Sequence, residues 1–398
     1  MTAAIVPINA APDEERRESA WPHRLRDFRL ISLAVVTALI LSALIIAVSD
    51  LDKLKHGDVL GMLTNVKDSY IALFQGAFVG VRAWSETMTY ATPLIFAGLS
   101  VAVGFKAGLF NIGATGQLFA GGMASVWVGF ALHMPALPHV VLALAAGALA
   151  GALWGGLVGV LKARTGAHEV ITTIMLNYIA GFAVLWMLKT TAFQAPGRSD
   201  AVSKDVDKSA RLPLLFGFLH RSAFELRAHA GFLIAIACAV FLWWLMTKSK
   251  LGFQFRTLGA NADAARYAGM NPARLTIGVM MIAGAFSGIG GGSEILGGIT
   301  QGHATSAFAG NIGFDAIAVA LLGRSSPWGT TAAALLFGAL QAGGQNMEAQ
   351  VKVPIDLVFV IRALIVLFVA APALTRMIWR LKDKDGNEGA QLFHGWGS

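Results

Sequence analysis

The chain has 398 residues, of which 56% are hydrophobic and 14% charged, and its mean hydropathy is +0.63. This composition excludes an ordinary soluble protein and indicates a polytopic membrane protein. The net charge of +8 does not require a nucleic acid partner, because an excess of Lys and Arg in a membrane chain is typical of cytoplasmic loops. The single cysteine, Cys238, lies in an apolar run, which excludes a disulfide framework and a cysteine metal site.

The N-terminal segment, residues 1–29, is polar and carries five arginines shortly before the first apolar run. That run, residues 30–48, is long enough to cross a membrane and longer than the core of a signal peptide. Because positively charged flanks stay on the cytoplasmic side, we predict a cytoplasmic segment at 1–29, a transmembrane domain at 30–380 and a cytoplasmic tail at 381–398. A weakly amphipathic piece at 70–81 is predicted to lie at the outer surface.

The segment from Lys106 to Met123 places polar residues and several glycines between two apolar runs. Backbone that is not fully helical at membrane depth is tolerated only where protein or a water-filled cavity covers it, so this segment is predicted to lie inside a helix bundle. Its Asn-Ile-Gly triplet at 111–113 recurs two hundred residues later at 311–313. Two glycine-interrupted segments at matching places in two halves indicate the substrate path of a transporter.

Two other spans, residues 140–161 and 275–298, carry glycines at every fourth position. Such a row of glycines lets two helix backbones approach closely in lipid. We predict that these glycines pack helices together and have no other role. They are Gly147, Gly151, Gly155 and Gly159 in the first span, and Gly284, Gly288 and Gly292 in the second.

Two polar segments differ in their balance of charge. The longer one, residues 189–230, carries charges of both signs and is predicted to be an external loop, since long loops cross the membrane largely regardless of charge. The other, residues 248–274, has five basic residues against Asp263, which predicts a cytoplasmic position. Its middle has the pattern of a short helix that ends at Gly269, before Pro272. A short cytoplasmic helix of this kind suits docking into a soluble partner.

The predicted fold is an all-α polytopic membrane protein with about ten transmembrane helices, some of them interrupted, and with both termini cytoplasmic. The first Asn-Ile-Gly triplet follows a span that ends inside, and the second follows a span that ends outside. The two halves, roughly residues 88–190 and 275–375, are therefore predicted to have inverted topology. Inverted halves with a path between them are typical of transporters.

The sequence lacks the motifs of common membrane enzymes. It has no P-loop, no nucleophile elbow and no His-Glu-x-x-His pair, and its nine histidines show no metal-ligand spacing. We therefore predict no catalytic residue, no cofactor and no ATP hydrolysis by this chain. The remaining signal is polar residues within apolar spans, which hydrogen-bond either a polar solute or a neighbouring helix. Those predicted to line a substrate path are Asn111, Gln117, Asn177, Glu294, Asn311 and Asp315.

Four motifs occur in order within residues 85–375: GLFNIGATGQLFAGG at 108–122, HEVITTIMLNYIA at 168–180, LGANADAARYAGMN at 258–271 and GFDAIAVALLGRSSPWG at 313–329. Together they resemble the permease subunits of bacterial ABC importers for nucleosides and simple sugars, a family that includes branched-chain amino acid and ribose permeases. The second motif is most similar to the nucleoside members, which favours a nucleoside as the solute. One departure is Thr115, where the family usually has Glu.

The resemblance implies an ATP-driven importer in the bacterial inner membrane. Two permease subunits would enclose the path, two ATPase subunits or domains would supply energy, and an external solute-binding protein would deliver the solute. The nucleoside systems pair two different permeases, so a heterodimer is expected. The resemblance also implies that residues 259–270 form the coupling helix that docks into the ATPase. Its coupling residues would be Gly259, Ala262, Ala265, Arg266 and Gly269.

Other functions remain open on the residues alone. A simple-sugar ABC permease would use the same Asn, Gln and Glu side chains. An ion-coupled secondary transporter working alone would also suit inverted halves, but it requires more buried acids and no docking helix. A membrane scaffold without transport activity is disfavoured by the interrupted spans.

Overall fold

The computed structural model describes residues 20–49, 55–217, 226–298 and 302–380. Within these ranges the regular structure consists of α-helices, one 3-10 turn at Lys208–Ala210 and isolated β-bridges, so the predicted all-α fold is confirmed. The helices are α1 (Ala20–Ser49), α2 (Val59–Phe78), α3 (Val81–Lys106), α4 (Ala114–Ala131), α5 (Ala136–Thr165), α6 (Glu169–Leu188), α7 (Gly231–Lys248), α8 (Lys250–Ala260), α9 (Ala262–Tyr267), α10 (Pro272–Gly297), α11 (Ile312–Leu322), α12 (Pro327–Val351), α13 (Asp356–Ala370) and α14 (Pro372–Ile378).

Among the described residues, six helices are long and apolar enough to cross a membrane: α1, through Ser32–Ser49, together with α3, α5, α6, α7 and α10. Helix α11 is a shorter apolar helix. Ten helices of the structure, α1, α3–α7 and α10–α13, correspond to the prediction of about ten transmembrane helices. Helix α4 is outside the set of six because Thr115, Gln117 and its glycines lower its hydropathy.

The chain divides into two compact units, residues 1–58 with 359–398 and residues 59–358. In the first unit, α14 packs against α1, and Trp379 Nε1 donates a hydrogen bond of 2.8 Å to Thr37 Oγ1. Helix α1 begins at Ala20, ten residues before the apolar run that predicted it. The cytoplasmic positions predicted for residues 1–19 and 381–398 lie outside the described residues.

The second unit contains the first predicted half and residues 275–358 of the second, and their helices pack reciprocally. Helix α3 of the first half packs against α11 and α12 of the second, while α10 of the second half packs against α4 and α5 of the first. The last residues of α3 lie beside Gly259, whereas the last residues of α10 lie beside Leu212 and His229. Helices α3 and α10 thus run in opposite directions relative to the loops at their ends, as inverted halves require.

The two predicted glycine rows pack against each other. Gly151 on α5 lies directly against the backbone of Gly284 and Gly288 on α10, and Gly147 lies beside Gly288 O and the Ser125 hydroxyl of α4. Such contact lets the helices approach closely enough for dispersion forces to act along their backbones. Helices α5 and α10 therefore form the central contact of the bundle.

The two polar segments lie at opposite ends of this bundle. Residues of the 189–230 segment pack over the ends of α4 and α10, where Asp207 N donates to Gly129 O and Leu212 N donates to Leu296 O, both at 2.9 Å. Helices α8 and α9 lie at the other end, beside the last turn of α3. This placement is consistent with an external loop and a cytoplasmic loop.

The piece at 70–81, which was predicted to lie at the outer surface, is instead mostly part of a packed helix. Helix α2 lies along α12, where Leu73 contacts Gly343 and where Asn346 Nδ2 donates a hydrogen bond of 2.7 Å to Ala72 O. The charged and amide residues Asn65, Lys67, Asp68 and Gln75 lower the hydropathy of α2, and the small Gly76 lies where α12 covers the helix.

Candidate functional site

The interrupted segment forms a turn between α3 and α4, residues 107–113, which we call the NIG turn. The N–H groups of Ala107 and Leu109 both donate to Gly104 O at 2.9 Å, so the chain reverses direction without leaving the bundle. Gly108 has a φ of 72°, a left-handed conformation that glycine adopts without strain. Its backbone packs against that of Gly259, which lies at the end of α8.

Three fully buried polar side chains fill the inside of the NIG turn. Asn111 Nδ2 lies 3.1 Å from Ser100 Oγ and 3.2 Å from Gln117 Oε1. Gln117 Nε2 in turn donates to Asn111 Oδ1 at 3.3 Å, and the same oxygen accepts from Gly113 N at 3.0 Å. The amides satisfy one another, and each is 0% exposed, so Asn111 and Gln117 present no open face to a solute.

Asn177 holds the NIG turn from the neighbouring helix α6. Its Oδ1 accepts from Gly116 N at 2.8 Å, and its Nδ2 donates to Ile112 O at 2.9 Å. The first of these bonds satisfies an N–H group in the first turn of α4, where an α-helix has no internal partner for it. Asn177 therefore fixes the start of α4 in both position and direction.

The start of α11 lies directly beside the start of α4. A Cβ atom at Gly313 would lie 2.6 Å from Thr115 N and closer still to Thr115 Oγ1, so the second Asn-Ile-Gly triplet contacts the residues that follow the first. The Thr115 hydroxyl has no hydrogen-bond partner within the described part of the chain. In the second triplet Asn311 is exposed, and Asp315 in the first turn of α11 is half-buried. Two helix N-termini with positive partial charge thus meet at one place.

Glu294 lies apart from these residues. It is 4% exposed, on the last turn of α10, beside Gly298, whose N–H donates to Glu294 O at 3.0 Å. One turn earlier, α10 crosses α4 through the contact of Gly291 with Leu118. Of the six residues predicted to line one path, the structure brings Asn111, Gln117 and Asn177 together, places Asn311 and Asp315 beside them, and separates Glu294.

The predicted docking helix is present as α9. Asn261 begins it by accepting hydrogen bonds of 2.9 Å from the N–H groups of Asp263 and Ala264, and Gly269, with a φ of 78°, follows its end. Ala265 is fully buried and anchors the helix. The other predicted coupling residues, Gly259, Ala262, Arg266 and Gly269, are exposed, and so is Tyr267 at 94%.

Several residues of interest were not predicted. Arg227 forms a two-point ion pair with Glu86, in which Arg227 Nε lies 3.0 Å from Glu86 Oε1. His229 is buried against Gly297, and burial lowers the pKa of its imidazole to about 4. Glu86 could have been predicted to need a partner, because it is a charged residue close to the predicted beginning of a span at residue 88. The other two could not be predicted, because their contacts join distant parts of the sequence.

Residues 84–370 match the family model described as branched-chain amino acid transport system / permease component. The chain belongs to this ABC transporter permease family. The permease is 40% identical to the guanosine ABC transporter permease NupP of Bacillus subtilis, over 81% of its own length and 91% of that protein. It is also 38% identical to two other relatives, each over 76% of its own length. These are the nucleoside ABC transporter permease NupB of Lactococcus lactis, of which 82% is covered, and the glucose ABC transporter permease TsgB13 of Haloferax volcanii, of which 79% is covered.

No solved structure is significantly similar to the permease. In the described part of the chain, no group of three or more His, Cys, Asp or Glu side chains is placed to bind a metal ion. Family membership and helix composition together make this chain a multi-pass membrane protein and a permease subunit, which is not itself an enzyme.

Proposed function

We propose that the permease conducts a nucleoside through the bacterial cytoplasmic membrane as part of an ATP-driven importer. The observation that carries this proposal is the identity of 38–40%, over most of the chain, to permeases named for guanosine and for nucleosides. A nucleoside has hydroxyl groups and base edges but no net charge, which suits the amide of Asn311 and the carboxyl group of Asp315 beside the NIG turn. A simple sugar is the second candidate, because the glucose permease of Haloferax volcanii is also 38% identical to this chain.

The solute path lies on the face of the bundle where α4 and α11 begin and along which α6 runs. Residues 302–311 are not helical, and Ser306 and Asn311 within them are exposed. Residues 302–305 pair with residues 202–206 of the proposed external segment, so the outer mouth of the path lies at this end of the bundle.

The six path residues have different roles in this proposal. The exposed Asn311 and the half-buried Asp315 contact the solute, whereas the half-buried Asn177 already uses both atoms of its amide on the NIG turn and the start of α4. Asn111, Gln117 and Asn177 position the N-termini of α4 and α11, which attract electronegative oxygens of the solute. Glu294 braces α10 from inside the bundle, since an acid within a span is costly unless protein or water surrounds it.

The importer contains other subunits in this proposal. Two ATPase subunits or domains supply the energy, a second permease completes the path as a heterodimer, and an extracytoplasmic solute-binding protein delivers the nucleoside. Both termini lie on the cytoplasmic side, together with the 248–274 segment. Helix α9 is the coupling helix, because its exposed residues Ala262, Arg266 and Tyr267 project away from the anchored Ala265.

The contact between Gly108 and Gly259 gives this coupling a physical route. A Cβ atom at Gly259 would lie 2.6 Å from Lys106 O and 2.8 Å from the carbonyl carbon of Ala107, so α8 and the NIG turn touch through backbone alone. A movement of α8 and α9 against an ATPase therefore displaces the NIG turn directly. Side chains that could absorb the movement by changing rotamer are absent from this contact.

The proposed function is tested by uptake into membrane vesicles that contain the permease and its co-purifying subunits. We expect ATP-dependent uptake of labelled guanosine that unlabelled nucleosides inhibit and glucose does not. Competition by glucose alone would establish the sugar permease, and uptake driven by an ion gradient without ATP would establish a secondary transporter.

The coupling assignment has its own test. Arg266→Glu on α9 should abolish ATP-dependent uptake while the protein stays folded, and Arg256→Glu, at an exposed arginine of the neighbouring α8, serves as the matched control. Normal uptake by the Arg266 variant would refute α9 as the coupling helix.

A further inference from the structure

The side of the bundle formed by α4, α5 and α6 contains a groove of about 530 Å³. Its walls are aromatic, with Phe119 and Trp127 from α4 and Trp154 from α5. Small residues, among them Ala146 and Ala183, leave the space between these rings unfilled. A cavity of this size is within the range of about 300–1,000 Å³ of small-molecule binding sites.

The groove is unsuited to the transported solute. Its lining contains no side-chain oxygen, and the only side-chain nitrogens are those of the two indoles, Trp127 and Trp154. A nucleoside or sugar that entered would lose its hydrogen bonds to water without replacing them, which is strongly unfavourable. None of the residues proposed to contact the solute lines the groove. The groove is therefore a separate site for an apolar ligand.

The groove opens on the part of the bundle that is most exposed and most apolar. Only 17% of the α6 span is buried, and Phe182 and Trp186 on this helix are about 70% exposed. Trp127 is 49% exposed, four residues before the end of α4, and Trp186 lies two residues before the end of α6. Tryptophans concentrate at the boundary between hydrocarbon and headgroups, so this end of the groove lies at that boundary.

A positive charge lies at the same end of the groove. Phe193, which lines the groove, packs edge-to-face against Phe130 with ring centroids 5.7 Å apart. The ammonium group of Lys204 lies 5.6 Å from the centroid of the Phe130 ring and donates a hydrogen bond of 2.9 Å to Ala192 O. An ammonium group has three donors, so donors remain for a phosphate group.

We propose that this groove binds one acyl chain of a phospholipid, with the phosphate group beside Lys204. The lipid belongs to the leaflet on the side of the 189–217 segment, because Lys204 and the two boundary tryptophans are at that end. The acyl chain packs against Ala180 and Ala183 of α6, one to two turns after Asn177. An occupied groove thus supports α6 where it holds the NIG turn.

The first test uses the full-length chain with its co-purifying subunits, reconstituted in vesicles of phosphatidylglycerol and phosphatidylcholine. A phosphatidylglycerol with a photoactivatable diazirine in its acyl chain is added, and labelled residues are located by mass spectrometry. We expect labelling to concentrate on groove residues such as Met123 and Met187. Labelling spread evenly over all exposed apolar faces, or a protein subunit crosslinked in the groove in place of lipid, would overturn the proposal.

A matched pair of variants distinguishes the groove from the surrounding surface. Ala146→Phe fills the groove, whereas Ala145→Phe adds the same side chain to the exposed face of the same helix. We expect groove labelling to fall about fivefold in the first variant and to be unchanged in the second. Ala183→Phe fills the groove from α6 and replaces the Ala146 variant if that one does not fold. Equal labelling of a folded filled variant and the Ala145 control would refute a bound chain.

The headgroup contact is tested by native mass spectrometry of lipids retained on the protein. Lys204→Gln should lower the retention of phosphatidylglycerol about fivefold, since a lysine near the surface contributes about 1 kcal/mol to binding of anionic lipid. Lys208→Gln, at an exposed lysine of the same segment, is the control and should have no effect. Equal retention of phosphatidylglycerol by both variants would show that Lys204 does not bind the phosphate group.

Discussion

The contact between α5 and α10 predicts that replacing glycine by alanine destabilises the permease at Gly151 of α5 but not at Gly181 of the neighbouring α6. Gly151 lies in the centre of this contact, where a methyl group would be 2.7 Å from Gly288 Cα and closer still to the carbonyl oxygen of Gly284. Carbon atoms in favourable contact are about 3.5–4.0 Å apart, so Gly151→Ala forces the helices apart by about 1 Å. Neither partner can turn aside, because both atoms belong to the backbone.

We expect this separation to cost about 1–3 kcal/mol, the usual range for overpacking a core. Replacing glycine by alanine also stabilises a helix by up to about 1 kcal/mol, which would partly conceal the cost. Gly181→Ala on α6 is the matched control, because it makes the same chemical change and its new methyl group meets nothing nearer than Phe119 Cε2 at 3.8 Å. The difference between the two variants therefore isolates the overpacking.

The assay is thermal unfolding of the purified permease in one detergent, followed by intrinsic tryptophan fluorescence. Gly151→Ala should unfold several degrees below Gly181→Ala, given about 2–4 °C per kcal/mol for larger domains. Equal unfolding temperatures would refute the backbone contact between α5 and α10, and with it the central contact of the bundle.

Three further predictions concern the polar contacts. Asn177→Leu removes both hydrogen bonds of this side chain, so it should destabilise the permease by about 2–4 kcal/mol and reduce uptake. Asn177→Asp should have a smaller effect, because it keeps the oxygen that accepts from Gly116 N. An unchanged unfolding temperature in Asn177→Leu would refute the contact. A double-mutant cycle of Glu86→Gln and Arg227→Gln should give a coupling free energy of unfolding of about 1–3 kcal/mol, because the two side chains are only 14% and 21% exposed. Additive effects of the two substitutions on stability would refute the ion pair. Burial holds the pKa of His229 at about 4, below its ordinary value, so the folded state binds a proton less readily than the unfolded state. Stability should fall by up to about 3 kcal/mol as pH decreases from 6.5 to 4, and His229→Gln should flatten this part of the curve.

Much of the fold could be predicted from the sequence because hydrophobic runs determine where membrane helices form. The predicted span at 275–298 corresponds to α10, and Gly269 follows the end of α9 with the left-handed backbone that glycine favours. The two glycine rows predicted close packing, but periodicity could not show that they pack against each other. The contact of Gly108 with Gly259 was equally inaccessible, because no local pattern relates residues that are 151 positions apart.

The candidate site was predicted as a set of residue types, and its division into buried and accessible members required the structure. Asn111 and Asn311 belong to identical triplets, yet the first is 0% exposed and the second is exposed. The difference follows from the residue six positions later. Gln117 exchanges hydrogen bonds with Asn111, whereas Ile317 occupies the corresponding position in the second half and offers no polar atom.

The two halves also differ in which of them carries an acidic residue four positions after the Asn of the triplet. Thr115 lies four residues after Asn111, where the resembled family usually has Glu, and the corresponding residue four positions after Asn311 is Asp315. Thr115 is 8% exposed and abuts Gly313, so a longer acidic side chain at that position would have to displace the backbone of α11. In this permease the acidic group next to the accessible amide therefore comes from the second half. In the proposed function, the exposed triplet and its acid form the polar surface that recognises the solute, and the buried triplet holds that surface in place.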